Sequence, residues 1–342
     1  MDGLKGSPLR IGVVGAGSWG TVLADLLSRN GHAVELWARE PEIVTGVNER
    51  HANGLFLPGI PLAEALTAVD DVCRAVAGKG LVVLAVPSHH MRAVCSSLVG
   101  RLAPGAVVVS VSKGIENESL LTMTGVLKEA LGLTDERLAV LSGPSFAVEV
   151  ARRIPTVVTV AARRAEVAHA VQRVFATPAF RVYTSRDTLG VELGGAVKNV
   201  IAIAAGLVDG LGLGLNTRAA LITRGMAEIR RLGKRMGANP RTFTGLTGYG
   251  DLILTCTGNL SRNHAVGRLL AAGRRLSDVV AEMRMVAEGV RTARSVYHLS
   301  ERHGVEMPIC RQTYRILYED LPPRAALYEL MTRDLKPELD ED

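Results

Sequence analysis

The sequence predicts an α/β protein whose N-terminal half forms a doubly wound, mostly parallel sheet and whose C-terminal half is all helical. Short β-branched runs alternate with helical stretches up to about Thr188, which is typical of βαβ units. A glycine-rich turn directly follows the first of these runs. Beyond Thr188 the strand signals stop, and Gly, Ala and Leu recur at helical spacing.

The individual elements follow from these patterns. Strands are predicted at residues 9–14, 32–37, 81–86, 107–111, 138–141, 157–161 and 181–183. In the second half, helical periodicity is clearest at residues 221–232, 265–272 and 292–302. We therefore predict three parts of the chain: a dinucleotide-binding domain (8–187), a helical substrate and catalytic domain (188–336) and an acidic tail (337–342).

The composition is that of a soluble globular protein. Of the 342 residues, 47% are hydrophobic and 22% are charged, which excludes a disordered or fibrous protein. The net charge of +6 comes from scattered basic pairs. This pattern argues against nucleic-acid binding and suits a small anionic substrate. We expect no stable membrane insertion, because no apolar run reaches the roughly 18 residues that a membrane span needs.

The cysteines and histidines predict neither disulfides nor a metal site. The four cysteines are far apart, and the histidines have no coherent ligand spacing. The N-terminus lacks the apolar core of a signal peptide. We therefore expect a cytoplasmic protein with reduced thiols.

The glycine-rich turn has the pattern of a Rossmann-type nucleotide site. It contains Gly15, Gly17 and Gly20, and it lies between a predicted strand and a predicted helix. The first glycine allows a tight turn, the second lets the backbone approach a pyrophosphate, and the third lets helix and strand pack closely. The helix N-terminus directs its amides at the phosphates.

Arg39 bears on the choice of nucleotide. It follows the second strand, roughly where an NAD site carries an acidic residue for the ribose hydroxyls. An arginine can instead pair with a 2′-phosphate. This favours NADPH/NADP+, while NADH/NAD+ and an ordinary surface arginine stay open.

Lys198 is the principal candidate for chemistry. On a helix its neighbours are Gly194, Gly195, Ala202 and Ala205, so we expect a recess beside the ammonium group. Burial there would lower the lysine pKa toward the range of a general acid or base. The alternative is close helix packing around a lysine that extends to water.

Four polar loops could contact a ligand. Two follow strands of the first domain, at residues 112–114 and 142–146, where ligands of open α/β sheets bind. A third, at residues 244–251, is rich in glycine and hydroxyls and ends in Asp251. The fourth contains Ser261, Arg262 and Asn263 before a helix, which suits a phosphate. Helix capping explains Ser261 equally well.

These segments together resemble the NAD(P)-dependent glycerol-3-phosphate dehydrogenase family. The matching motifs run from residue 15 to about residue 292. They are GAGSWG, AVPSHHMR, SKGIE, LSGPSFAVE, GGAVKNVIAIAAGLVDGLGLGLNTRAAL, TGYGDLILTCTGNLSRN and VAEGVRT. The block around Lys198 is the longest and the most specific of them.

The resemblance implies an activity and a set of site residues. The family reduces dihydroxyacetone phosphate to sn-glycerol 3-phosphate in the cytoplasm and so supplies glycerophospholipid biosynthesis. By this resemblance Lys198 donates or accepts the proton. The residues implied for the nicotinamide nucleotide are Ser18, Trp19, Arg39, Lys113, Ala147, Arg262, Val286 and Glu288. Those implied for substrate are Lys113, Gly143, Ser145, Lys198, Asp251, Ser261, Arg262 and Asn263.

Two other functions share parts of this pattern, and a homodimer is left open. A 3-hydroxyacid dehydrogenase would share the two-domain plan, but it pairs its lysine with an asparagine one turn later, where this chain has Ala202. A catalytically silent redox sensor would keep the glycine turn but would have no need of Lys198. Oxidation of NADPH by dihydroxyacetone phosphate separates the three functions.

Overall fold

A computed structural model describes residues 8–283 and 287–338 of the chain. Within them the first domain is built around one eight-stranded sheet, in the order β3-β2-β1-β4-β5-β6-β7-β8. The strands are β1 (Arg10–Val14), β2 (Ala33–Trp37), β3 (Thr67–Val69), β4 (Leu81–Leu84), β5 (Val107–Ser110), β6 (Leu138–Ser142), β7 (Thr156–Ala161) and β8 (Phe180–Ser185). The chain reverses its winding direction between β1 and β4, as in doubly wound sheets.

The sheet differs from the prediction in two details. The edge strand β3 has only three residues, fewer than the four to eight that a strand pattern needs for recognition. The pair β6 and β7 is antiparallel, whereas the other neighbouring pairs are parallel. The seven predicted strands are confirmed, with ends that differ by up to two residues.

Helices cover the sheet and then form the second domain. Those of the first domain are α1 (Ser18–Arg29), α2 (Pro41–Arg50), α3 (Val72–Val76), α4 (Met91–Ser97), α5 (Met123–Leu131), α6 (Ala147–Ala151) and α7 (Ala165–Phe175). Those that follow are α8 (Thr188–Gly210), α9 (Gly214–Arg235), α10 (Asp251–Thr257), α11 (Arg262–Ala271), α12 (Leu276–Glu282), α13 (Glu288–His303), α14 (Pro308–Tyr318) and α15 (Pro323–Met331). The predicted order of an α/β domain followed by a helical domain is confirmed.

Helix α8 is the centre of the second domain. Almost all of its side chains are buried, and it packs against α9, α10, α11, α13 and α14. By length and composition it is the one described helix that could cross a membrane, but its most apolar window is entirely buried within the protein. That combination is typical of the core helix of a folded domain.

Two glycines bring α8 and α11 into close contact. A Cβ on Gly206 would lie 2.0 Å from the carbonyl oxygen of His264, and one on Gly267 would lie 2.0 Å from that of Ile203. A larger residue at either position would force the helices apart. The first half of α11 is therefore fixed against the C-terminal part of α8.

The junction between the domains is short. Strand β8 ends at Ser185, and α8 begins at Thr188 with Asp187 as its N-cap. The Asp187 carboxylate accepts a hydrogen bond from the backbone N–H of Gly190 at 3.0 Å, which satisfies one of the free amides of the helix start. We propose this junction as the domain boundary.

Candidate active site

The glycine turn between β1 and α1 has the geometry of a nucleotide cradle. Gly15 has φ of +110°, a conformation that side chains rarely adopt. A Cβ on Gly20 would lie 1.9 Å from the carbonyl oxygen of Gly15, whereas a Cβ on Gly17 would meet nothing within 4 Å. The N-cap residue of α1 is Gly17, which has no side chain to cap the helix. The helix start is thus open to an anion beside Gly17.

The other residues expected near the nucleotide lie around this turn. The Ser18 hydroxyl donates to the carbonyl oxygen of Phe56 at 2.6 Å. Trp19 is half-buried, and its indole Nε1 is buried with no hydrogen-bond partner among the described residues. The Arg39 side chain is 76% exposed and pairs with Glu40 at 3.0 Å. Ala147 is the first residue of α6.

Lys198 lies in a buried cluster of charges between the domains. The Lys198 ammonium is 2.7 Å from Asp251 Oδ1 and donates to the Thr255 hydroxyl at 2.6 Å. The Lys113 ammonium, from the other domain, donates to Asp251 Oδ2 at 2.7 Å. Lys198 is 5% exposed and Asp251 is 1% exposed. One carboxylate thus holds two ammonium groups.

The surroundings of Lys198 shift its protonation equilibrium. Burial lowers the pKa of Lys198 to about 8, because a charged ammonium loses its hydration. Asp251 opposes this shift by attraction, and Lys113 adds to it by repulsion. The group can therefore exchange protons near neutral pH.

The prediction of a recess beside Gly194 and Gly195 is wrong. A Cβ on Gly194 would lie 2.5 Å from the carbonyl oxygen of Thr247, and one on Gly195 would lie 2.6 Å from the Ser142 hydroxyl oxygen. The glycines therefore let neighbouring segments approach α8 closely. The alternative interpretation, in which Lys198 extends to water, is also wrong, because the ammonium is held inside the cluster.

The loop after β6 brings three expected substrate residues together. Gly143 has φ of +136°, and its carbonyl oxygen accepts hydrogen bonds from Lys113 Nζ and from the Ser145 hydroxyl, each at 3.0 Å. The turn thus places its carbonyl oxygen and the Ser145 hydroxyl beside one ammonium of the charge cluster.

The start of α11 presents a second positive group. Ser261 is the N-cap, and its hydroxyl oxygen accepts from the backbone N–H of His264 at 3.2 Å. Arg262, the first residue of the helix, is exposed. Partial desolvation lowers the pKa of Arg262, and the Glu288 carboxylate opposes that shift. The capping role is thus present, and the arginine stays accessible to a ligand.

Asn263 and Glu288 connect this helix start to other elements. Asn263 donates to Asn199 Oδ1 and accepts from the backbone N–H of Gly289, both at 2.9 Å. The Glu288 carboxylate accepts from the backbone N–H of Ser88 at 3.1 Å and from the Ser88 hydroxyl at 2.5 Å. Burial raises the pKa of Glu288, and these two bonds oppose the shift. Asn263 therefore joins three helices of the second domain, and Glu288 joins the second domain to the first.

Comparison with known proteins decides the family. The model of the NAD-dependent glycerol-3-phosphate dehydrogenase N-terminus matches residues 10–168, and that of the C-terminus matches residues 187–328. The chain belongs to the NAD-dependent glycerol-3-phosphate dehydrogenase family. The family resemblance predicted from the sequence motifs is therefore confirmed.

Individual relatives are similar over nearly their whole length. A glycerol-3-phosphate dehydrogenase (NAD(P)+) of Geobacter sulfurreducens is 58% identical over 330 residues, covering 96% of this chain and 98% of the relative. One of Syntrophobacter fumaroxidans is 56% identical over 332 residues, covering 96% and 97%. A crystal structure of a Coxiella burnetii glycerol-3-phosphate dehydrogenase superposes with a TM-score of 0.91 at 38% identity, covering 95% of this chain and 99% of that one.

The residues around the glycine turn fit a dinucleotide. The helix start of α1 beside the open side of Gly17 and the exposed guanidinium of Arg39 would hold its phosphates. Among the described residues, no group of three or more His, Cys, Asp or Glu side chains could hold a metal ion. Val286, expected at the nucleotide, lies outside the described residues.

Sequence reasoning missed four residues of this region. Thr255 contacts Lys198, and its spacing of four residues from Asp251 places both on one face of α10, a signal that was available. Asn199 is adjacent to Lys198 and bonds Asn263. Ser88 holds Glu288 across the cleft, and Glu192 holds Thr124. No local pattern marks these last two, since their partners are distant in sequence.

Proposed function

We propose that this protein reduces dihydroxyacetone phosphate to sn-glycerol 3-phosphate and prefers NADPH to NADH. The observation that carries the proposal is the buried Lys198 ammonium, held between the Asp251 carboxylate and the Thr255 hydroxyl. A proton donor of this kind, beside a cleft with a nucleotide cradle, suits reduction of a ketone. The family membership supports the substrate.

Lys198 would supply the proton of the reaction. When bound, the reduced nicotinamide supplies a hydride to the ketone carbon. Negative charge then develops on the carbonyl oxygen, and the protonated Lys198 both stabilises this charge and transfers its proton there. In the reverse direction neutral Lys198 removes the proton of the hydroxyl. Asp251 and Thr255 would hold the ammonium in place throughout.

The charges of the site suit an anionic substrate. Lys113 and Lys198 share a single carboxylate, so this cluster has a positive surplus. Arg262, at the start of α11, would bind the phosphate, because an arginine–phosphate pair is charge-assisted and often bidentate. Ser261 and Asn263 would support that helix start, and Gly143 and Ser145 would face the remainder of the substrate. A phosphate held away from the reacting carbon converts binding energy into positioning.

The cofactor preference and cellular role are parts of the same proposal. Arg39 supports NADPH, because its guanidinium is 76% exposed, although it pairs with Glu40, and an arginine after the second strand can bind a 2′-phosphate. We place the activity in the cytoplasm, as a source of glycerol 3-phosphate for glycerophospholipid synthesis. Nucleic acid and membranes are not partners in this proposal, and a homodimer is left open.

The test is an assay of NADPH oxidation with three ketones. We expect rapid oxidation with dihydroxyacetone phosphate and much slower oxidation with dihydroxyacetone or with a 3-oxo acid. Faster turnover of the 3-oxo acid would identify a 3-hydroxyacid dehydrogenase instead. NADPH binding without turnover of any of them would indicate a nucleotide sensor.

A further inference from the structure

A buried carboxylate on α8 caps a helix of the other domain. Glu192 is 6% exposed. Its carboxylate accepts from the backbone N–H of Thr124 at 2.7 Å and from the Thr124 hydroxyl at 2.5 Å. Thr124 is the second residue of α5, and the N-cap residue of that helix, Thr122, provides no side-chain cap. The start of α5 is therefore capped from across the domain boundary.

Burial of the Glu192 carboxylate destabilises the fold unless hydrogen bonds of good geometry compensate for its lost hydration. Burial raises the pKa of Glu192, and the hydrogen bonds from Thr124 oppose the shift. Loss of one hydrogen-bond partner would leave a buried polar group unsatisfied and would strongly lower the free energy of unfolding. The reaction proposed above uses no group at this position. The carboxylate thus maintains a precise contact between two elements without touching substrate.

Of the two helices that Glu192 joins, α8 carries Lys198 and α5 follows the segment that contains Lys113. On α8, Glu192 precedes Lys198 by six residues, a rise of about 9 Å. On the other side, α5 begins where the segment from β5 ends, and that segment includes Lys113. Both lysines contact the Asp251 carboxylate. A shift of α5 relative to α8 would therefore separate the two ammonium groups.

We propose that Glu192 is a positioning residue that sets the Lys198 ammonium relative to Lys113 and the nucleotide-binding domain. This inference rests on the proposed function. By capping α5 from α8, the carboxylate fixes the position of the catalytic helix against the domain that holds the nucleotide. Loss of the cap lets α8 shift, so that the proton donor no longer meets the developing charge correctly.

The chain contains a matched control for this proposal. Glu228 on α9 is 1% exposed, and its carboxylate accepts from the backbone N–H groups of Ile309 at 2.7 Å and Cys310 at 3.1 Å. It therefore caps the start of α14, as Glu192 caps α5. Both of its partners lie in the helical domain. Glu192→Ala and Glu228→Ala each remove both carboxylate acceptors of such a cap, but only the first acts between domains.

The experiment compares these two variants by hydrogen exchange without cofactor, NADPH affinity and kcat. We expect both variants to melt at a lower temperature than the wild type. Glu192→Ala should speed exchange at the start of α5 and in residues 112–122, and it should lower kcat at least tenfold. Glu228→Ala should speed exchange only around α14 and change kcat less than about twofold. The NADPH dissociation constant should change less than about threefold in both.

Variants of Thr124 test the same contact from the other domain and are milder if Glu192→Ala fails to fold. Thr124→Ala should lower kcat as well, Thr124→Ser should restore it, and the double variant with Glu192→Ala should lose little more than the single one. Equal kcat losses in Glu192→Ala and Glu228→Ala, or unchanged kcat in Thr124→Ala, would overturn the positioning role. A wild type that is inactive with dihydroxyacetone phosphate would instead overturn the proposed function.

Discussion

The nucleotide turn and the lysine cluster are built in opposite ways. The turn consists of six consecutive residues, and its shape depends on backbone conformation and on the absence of Cβ atoms at Gly15 and Gly20. The cluster joins Lys113 to Asp251 across 138 residues and joins two domains. We therefore expect the glycine turn to be sensitive mainly to substitutions within its own six residues and at the few side chains beside them. An assembled site depends on every contact that keeps its elements in place.

The two regions also differ in electrostatics. The turn offers an open helix start and one exposed guanidinium, Arg39. The cluster holds the buried Lys198 ammonium and the partly buried Lys113 ammonium around Asp251, and burial of charge is tolerated only with well-placed partners. We therefore expect changes in the cluster to alter chemistry and changes at the turn to alter the choice of nucleotide.

The largest effect is expected for Lys198→Met. Methionine approximates the length and apolar stem of lysine, so packing around α8 should change little. The ammonium that meets the developing charge is lost, which should reduce kcat by about 10²–10⁴-fold or more. The NADPH dissociation constant should hardly change, because the turn lies in the other domain. A variant that retains a tenth of wild-type kcat would show that Lys198 is a packing residue.

A smaller effect is expected for Arg262→Ala. Loss of a charge-assisted pair of about 1.5–3 kcal/mol corresponds to a rise of about 10–150-fold in KM for dihydroxyacetone phosphate. The KM for dihydroxyacetone, which has no phosphate, should change far less. Arg268→Ala, at an exposed arginine farther along α11, is the control and should leave both constants unchanged. Equal losses with both ketones would place the phosphate elsewhere.

The smallest effect on overall rate, but a change of preference, is expected for Arg39→Asp. A carboxylate there repels a 2′-phosphate and accepts hydrogen bonds from ribose hydroxyls. The ratio of kcat/KM for NADPH to that for NADH should fall. Arg101→Asp changes an exposed arginine before the amino end of β5, whereas Arg39 follows the carboxyl end of β2, so this control should leave the ratio unchanged. An unaltered ratio in Arg39→Asp would make it an ordinary surface residue.

The same contrast explains what the sequence could predict. The glycine turn and seven strands were accessible because their signals lie in consecutive residues. The three-residue strand β3 was missed because so short a run has no periodicity. The loops that hold Asp251 and Arg262 were recognised from their polarity, but their partners were not. The Ser88–Glu288 bond spans 200 residues, and no single-sequence pattern reports such a contact.

Lys198 shows most clearly how far the environment of a residue can be predicted from the sequence. Its small neighbours indicated an unusual environment, and that was correct in part, since the lysine is buried and its pKa is lowered. The shape of that environment was wrong, because the carbonyl of Thr247 and the hydroxyl of Ser142 occupy the space beside the two glycines. Which atoms fill a space depends on tertiary packing, which residue spacing on one helix does not specify.

The pH dependence of the reaction in both directions tests the role of Lys198 most directly. Its pKa is lowered to about 8, so the protonated donor predominates below that pH and the neutral acceptor predominates above it. For ketone reduction kcat/KM should therefore fall about tenfold per pH unit above about 8, whereas for glycerol 3-phosphate oxidation it should rise up to about 8 and then level. Opposite limbs that meet near pH 8 would support Lys198 as the proton donor and acceptor. Ketone reduction that stays constant up to about 10.4, the ordinary lysine pKa, would contradict it.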